Sequence, residues 1–224
     1  MCKSTDIKKT KTPWPTKKAM TQVYDMKLWG GKEDNFYSGE GSHKPEIIEP
    51  YIQAIVSFLK SFQTPLAVCD LGCGDFNIGK ELVPYTKQYI AVDIVDALIT
   101  YNTMHFKADN LEFQCLDIAV DELPSGDCVI IRQVLQHLSN TEVQNVLAKL
   151  TAYKYVVLTE HVPSEQFTPN VDIISGQGIR LKKQSGLDVL APPFNFQVKE
   201  ENLLLSLTLG DNKGLIKTTL YTLF

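Results

Sequence analysis

Apolar positions after residue 65 fall in short runs separated by stretches with helical spacing. Leu66–Leu71, Tyr89–Ile94, Leu111–Leu116, Cys128–Ile131 and Tyr155–Leu158 are nearly continuous in apolar residues and read as buried strands. Helices are predicted between them, over about 77–85, 96–106, 133–138 and 140–152. The last opens on Ser139 with Glu142 three residues later, the pattern of a capping box. Alternation of this kind predicts a parallel sheet covered on both faces. Upstream, Ile47, Ile48, Tyr51, Ile52, Ile55, Val56, Leu59 and Phe62 recur every three or four residues and predict an amphipathic helix. Pro50 must sit in its first turn or kink it. Downstream, Leu203–Leu209 and Leu215–Leu223 flank a Gly-Asp-Asn-Lys-Gly turn, so an antiparallel pair should finish the sheet.

Residues 163–194 fit neither periodicity. Pro163, Pro169, Pro192, Pro193, Gly176, Gly178 and Gly186 punctuate them, and a loop of that length is expected to be a lid or a binding segment. The expected organisation is a basic, flexible tail over 1–27 and one domain over 28–224. Within that domain, 28–65 supply a lid and a helix, and 163–194 a substrate loop.

Charge and composition narrow the function. The net charge is −4, yet residues 1–44 hold nine lysines against five acids. The acidic remainder argues against a nucleic-acid groove, which needs clustered cations. The polar start lacks the apolar core of a secretory signal, and no run reaches the length of a membrane helix. A cytoplasmic protein is the expectation. Five cysteines without a CxxC pair predict reduced, buried thiols, and no cluster demands a metal.

The sharpest chemistry lies at Val68-Cys69-Asp70-Leu71-Gly72-Cys73-Gly74-Asp75, where a strand turns into a helix. Glycines there let backbone amides approach a ligand beyond the strand ends. Asn77 stands where a dinucleotide fingerprint has its third glycine, and no P-loop lysine follows. Asp93, nineteen residues after Gly74, and Asp117 end the next two strands. Three successive acids can line one sheet edge.

These motifs resemble the class I S-adenosylmethionine-dependent methyltransferases over roughly residues 45–224. The resemblance implies a Rossmann-like three-layer α/β sandwich whose seven-stranded, mostly parallel sheet ends in an antiparallel strand. It implies S-adenosyl-L-methionine as cofactor. Asp70, Gly72 and Gly74 would hold its methionine part, Asp93 its ribose and Asp117 its adenine. Cys128–Leu138 is similar to the segment beside the transferred methyl, and Phe76 departs from the family's third glycine. A narrower likeness rests on Tyr37-Ser38-Gly39-Glu40-Gly41-Ser42, Gly72–Asp75, Val134–Asn140 and Pro192-Pro193-Phe194. It is to small bacterial methyltransferases, some of which tailor surface glycans.

The candidates for the remaining roles follow from position. His137 and His161 come after the fourth and fifth strands and are candidate general bases, or else capping and packing histidines. Arg132 could grip the cofactor's carboxylate or an anionic substrate bidentately, and Gln133 is a further cofactor contact. Tyr37, His43 and Arg180 are candidate substrate contacts, the last for an anionic group. The expected activity is methyl transfer by in-line displacement to a small-molecule or glycan acceptor. A non-catalytic cofactor-binding protein is the alternative, and a nicotinamide oxidoreductase a weaker one.

Overall fold

The computed structural model describes residues 13–31, 36–210 and 213–224. The tail lysines at 3, 8, 9 and 11, Cys2 and the centre of the Gly210–Gly214 turn lie outside them. Seven strands form one sheet: β1 (Ala67–Leu71), β2 (Gln88–Asp93), β3 (Leu111–Cys115), β4 (Cys128–Arg132), β5 (Tyr155–Val162), β6 (Glu200–Thr208) and β7 (Leu215–Thr222). Their spatial order is β3-β2-β1-β4-β5-β7-β6. The first five strands pair in parallel, and β7 pairs antiparallel to both β5 and β6. The chain runs outward to β3 and then returns to lay β4 beside β1. A crevice therefore opens beyond the carboxyl ends of β1 and β4, where the winding reverses.

The sheet has apolar cover on both faces. On one, α2 (Pro45–Lys60) lays Tyr51, Ile55, Phe58 and Leu59 onto Val68, Tyr89, Ile130 and Val157. Pro45 starts this helix where a missing N–H costs nothing, and Pro50 is accommodated inside it. On the other face, α5 (Asn140–Leu150) packs Val143, Val146, Leu147 and Leu150 against the sheet, and its Ser139–Glu142 capping box forms in full.

Several expectations change. Thr16–Asp25 is a helix, α1, with Val23 and Tyr24 buried, so the boundary of a flexible tail does not hold at residue 27. Its Thr16 hydroxyl reaches Glu142 of α5. The segment 133–138 is a 3-10 turn over Leu135–His137 rather than a helix, because Gln133 before it adopts a φ of 56°. Within 163–194, Phe194 joins Leu187, Val189 and Phe196 in the core against α5 and lines no cavity, while Ile174 points to solvent. Part of the supposed substrate loop is thus a cover for the sheet.

Candidate functional site

A cavity of about 220 Å³ fills the crevice. Its floor is the β1 turn, where Gly72 and Cys73 donate to the Val92 carbonyl at 2.8 and 2.9 Å. Asp93 at the end of β2 accepts from Gly74 N and Val95 N, each at 3.1 Å. Asn102 of α4 (Asp96–His105) donates to Gly74 O at 2.7 Å and locks the turn from behind. Phe76 takes a φ of 61° and buries its ring edge-on to Tyr89, Phe106 and Phe113. The residue that departs from the third glycine is therefore an anchor beneath the turn and does not cover the cavity.

Asp70, Gly72, Gly74, Asp93, Asp117, Arg132 and Gln133 all line this space, so the predicted cofactor set is brought together. Burial pushes the Asp70 carboxyl up to about 7, with the Tyr89 hydroxyl at 2.9 Å pulling it back. Burial likewise raises Asp93 to about 6, against the amides it accepts from. Asp117 accepts from Ala119 N at 2.9 Å with one oxygen. Arg132 spends both terminal nitrogens on the lid, donating to Ser42 Oγ at 3.1 Å and to the Gly41 carbonyl. The bidentate grip expected of it is already occupied. Its Nε and the Tyr51 hydroxyl are buried without partners, and the guanidinium lies 4.8 Å over the Tyr51 ring.

The lid is clamped to the turn through one acid. Asp75 Oδ2 accepts from Ser38 N at 2.8 Å and from the His43 ring at 2.6 Å. Asp75 N in return donates to Ser38 Oγ at 2.8 Å, which also meets the Tyr24 hydroxyl at 3.0 Å. Tyr37 stacks on His43 at 4.2 Å between centroids. Neither ring lines this cavity or the second one described below; His43 is bound to Asp75 and Tyr37 to His43. Both rings fasten the 37–43 segment to the β1 turn, through Asp75.

Three other candidates also take new places. His137 does line the cavity, but its Nδ1 is 3.1 Å from Gly176 O, its ring lies 5.2 Å from Trp29, and burial lowers its pKa to about 4. It is a neutral imidazole at physiological pH. His161 lies within β5 and lines a second cavity of about 770 Å³, where its Nε2 donates to Lys213 O at 2.6 Å. Arg180 is 1% exposed and donates to the carbonyls of Leu135 and Leu138 at 3.1 and 2.8 Å and to Asn140 Oδ1 at 2.7 Å. Its guanidinium is committed to those acceptors and lines neither of the two cavities. Its work is to hold the turn that carries His137.

Residues that sequence reasoning missed complete the wall. Thr16, Met20 and Tyr24 of α1, with Trp29, close one side, and Tyr51 and Tyr89 lie deep on the other. Met20, Val23 and Tyr24 do keep helical spacing, but the lysines around them mask it. Gly41 and Gln133 line both cavities and form the wall between them.

Residues 68–153 match the profile of a methyltransferase domain family. A Chlamydia pneumoniae protein described as an uncharacterized RNA methyltransferase is 28% identical over 163 residues, 67% of this chain and 39% of that protein. The chain thus spans about two fifths of that relative's length. Among solved structures, the N-methyltransferase NodS of Bradyrhizobium japonicum, in complex with S-adenosylhomocysteine, superposes with a TM-score of 0.65 at 12% identity, over 91% of this chain and 98% of that one. The magnesium protoporphyrin IX methyltransferase of Synechocystis, with bound S-adenosylmethionine, gives 0.58 at 15% identity, over 95% and 99%. The match at 68–153, the strand order and the acids that line the crevice all agree with the resemblance to the class I S-adenosylmethionine-dependent methyltransferases.

Proposed function

We propose that the chain transfers a methyl group to a small-molecule or glycan acceptor held in the second cavity. The carrying observation is that the two cavities share Gly41 and Gln133 and nothing thicker. Residues 163–167 with Leu181, Lys182 and Gln184 contribute to the second cavity, which retains part of the expected substrate loop. S-adenosylmethionine supplies an activated methyl whose bond pair returns to sulfur as a lone pair on the acceptor forms the new bond. The chain's contribution is placement and exclusion of water, which can supply a large part of a rate enhancement.

The crevice fits that cofactor on chemical grounds. A sulfonium and an amino group are cations, and Asp70 and Asp93 are buried acids whose ionisation a bound cation favours. The unpaired Arg132 Nε and Tyr51 hydroxyl offer donors for a carboxylate. A nicotinamide dinucleotide would bring a pyrophosphate to the same acids, and that reading falls with the family match. His161, on the acceptor side, is the better placed of the two histidines to receive a proton; His137 positions the wall behind the cofactor.

Asp93→Ala should weaken S-adenosylmethionine binding about ten- to hundredfold, the worth of hydrogen bonds to a charged group. Calorimetry on a variant with unchanged circular dichroism checks this, and unaltered affinity removes Asp93 from the site. The function itself is tested by incubating the protein with methyl-labelled cofactor and a library of hydroxylated and aminated small molecules and oligosaccharides. Cofactor binding without transfer to any member, alongside transfer to RNA, would replace the proposed acceptor class.

A further inference from the structure

The second cavity has a chemistry of its own. Its lining is mixed, and its apolar part is Ile47 from α2, Phe167, Leu181, Leu209 and Ile216, from five separate stretches of chain. Its charged groups are not balanced. Of the two acids, Glu40 is already paired with Lys44 at 2.6 Å, which leaves Glu165. Against it stand Lys182, from the turn Arg180–Lys183, and Lys213, from the β6–β7 hairpin. These two lysines come from separate segments of the chain. Each is held in place by a bond to its own backbone neighbourhood: Arg180 pins the first turn, and His161 Nε2 bonds the Lys213 carbonyl. In a protein whose net charge is −4, two lysines against one unpaired acid in a partly apolar cavity are a local reversal of sign.

Resting on the reading of this cavity as the acceptor site, we infer that the acceptor is an amphipathic organic anion. An apolar ring or chain lies in the hollow, and a carboxylate, sulfonate or phosphate group is held at the mouth between Lys182 and Lys213. A neutral sugar would leave the cavity's excess of one ammonium group over Glu165 uncompensated, and a cation would add to it. A long polyanion such as RNA would need cations beyond the cavity, and two described lysines next in sequence to its lining are otherwise engaged: Lys44 with Glu40, and Lys183 with the Asp172 carbonyl at 2.7 Å.

The probe is a matched pair of fluorescent dyes: anionic 8-anilinonaphthalene-1-sulfonate and neutral N-phenyl-1-naphthylamine, each titrated into the protein saturated with S-adenosylhomocysteine. The anion should bind about tenfold tighter than the neutral dye, the joint effect of two exposed ion pairs, and the preference should shrink as salt is raised. The double variant Lys182→Ala, Lys213→Ala should lose the preference while keeping its S-adenosylhomocysteine affinity and circular dichroism. Equal binding of the two dyes, or a preference that survives in the double variant, overturns the inference. So does displacement of the anionic dye by a short single-stranded RNA that the double variant no longer binds. Failure of the underlying function is read separately: a chain that binds no S-adenosylhomocysteine fails at the first cavity, whatever the dyes do at the second.

Discussion

Arg180→Ala should cost about 3–5 kcal/mol of folding stability, the range for removing one member of a buried charged network. The side chain touches neither cavity. It is nonetheless the donor for the Leu135 and Leu138 carbonyls and for Asn140 Oδ1. Without it the Leu138 carbonyl and Asn140 Oδ1 lose this donor, while the Leu135 carbonyl keeps the Leu138 amide at 3.1 Å, and each such loss is costly. A second penalty depends on pH. Glu160 is 3% exposed and neither of its oxygens has a hydrogen-bond partner. Burial pushes its carboxyl up to about 8, and the nearby Arg180 charge pulls it back. A raised carboxyl pKa means that the native state holds a proton the unfolded chain releases. Its stabilising contribution is complete below the unfolded value near 4.5 and fades as pH rises through 8. Removing Arg180 raises the Glu160 value further, so ionisation costs more. Urea melts should therefore show a larger deficit for Arg180→Ala at pH 9 than at pH 6. Equal deficits at both would separate Arg180 from Glu160, and a loss under 1 kcal/mol would refute the buried-network account. Arg180→Lys should recover little, since one ammonium cannot reproduce the planar fork.

Gly72→Ala should lower cofactor affinity about a hundredfold, with the fold retained. Gly72 adopts a φ of 87°, where a side chain is strained, and an added Cβ would sit 2.3 Å from Val134 Cγ2. Val134 belongs to the cavity wall, so relief of the clash moves either that wall or the turn. Both displacements reach the ligand. Gly178→Ala is the control, because a Cβ there meets nothing within 4 Å. Titration calorimetry of the two variants side by side gives the contrast; equal affinities would show that the turn yields without cost to the site.

The sheet was legible because buried parallel strands leave almost uninterrupted apolar runs, and every strand predicted from them is present. Asp70, Asp93 and Asp117 were legible for the same reason: once strand ends are known, so is the edge they face. What failed was anything decided by burial of a charged side chain. Arg180 and His43 have the composition of ligand contacts, and only the fold reveals that a carbonyl cluster and Asp75 have taken them. Arg132 failed halfway, in the right cavity but committed to the lid. The helix α1 was hidden because Lys17 and Lys18 dominate a stretch whose few apolar residues face inward. The helix predicted over 77–85 shrank to Gly79–Leu82 and a 3-10 turn, as Pro84 cannot continue it.

Phe76 has a consequence for how the molecule breathes. With its ring wholly buried among Tyr89, Phe106 and Phe113, the glycine turn is bolted to the aromatic layer beneath the sheet. The amides of Gly72 and Cys73 can trade hydrogen for deuterium only when β1 leaves β2, an event close to complete unfolding. Residues 36–43 have no strand ladder and are fastened mainly through Asp75, Ser38 and Arg132, so they detach at far lower cost. The cavity therefore has one slow wall and one fast wall. Isotope uptake should divide along that line, fast at 36–43 and slow at Gly72 and Cys73.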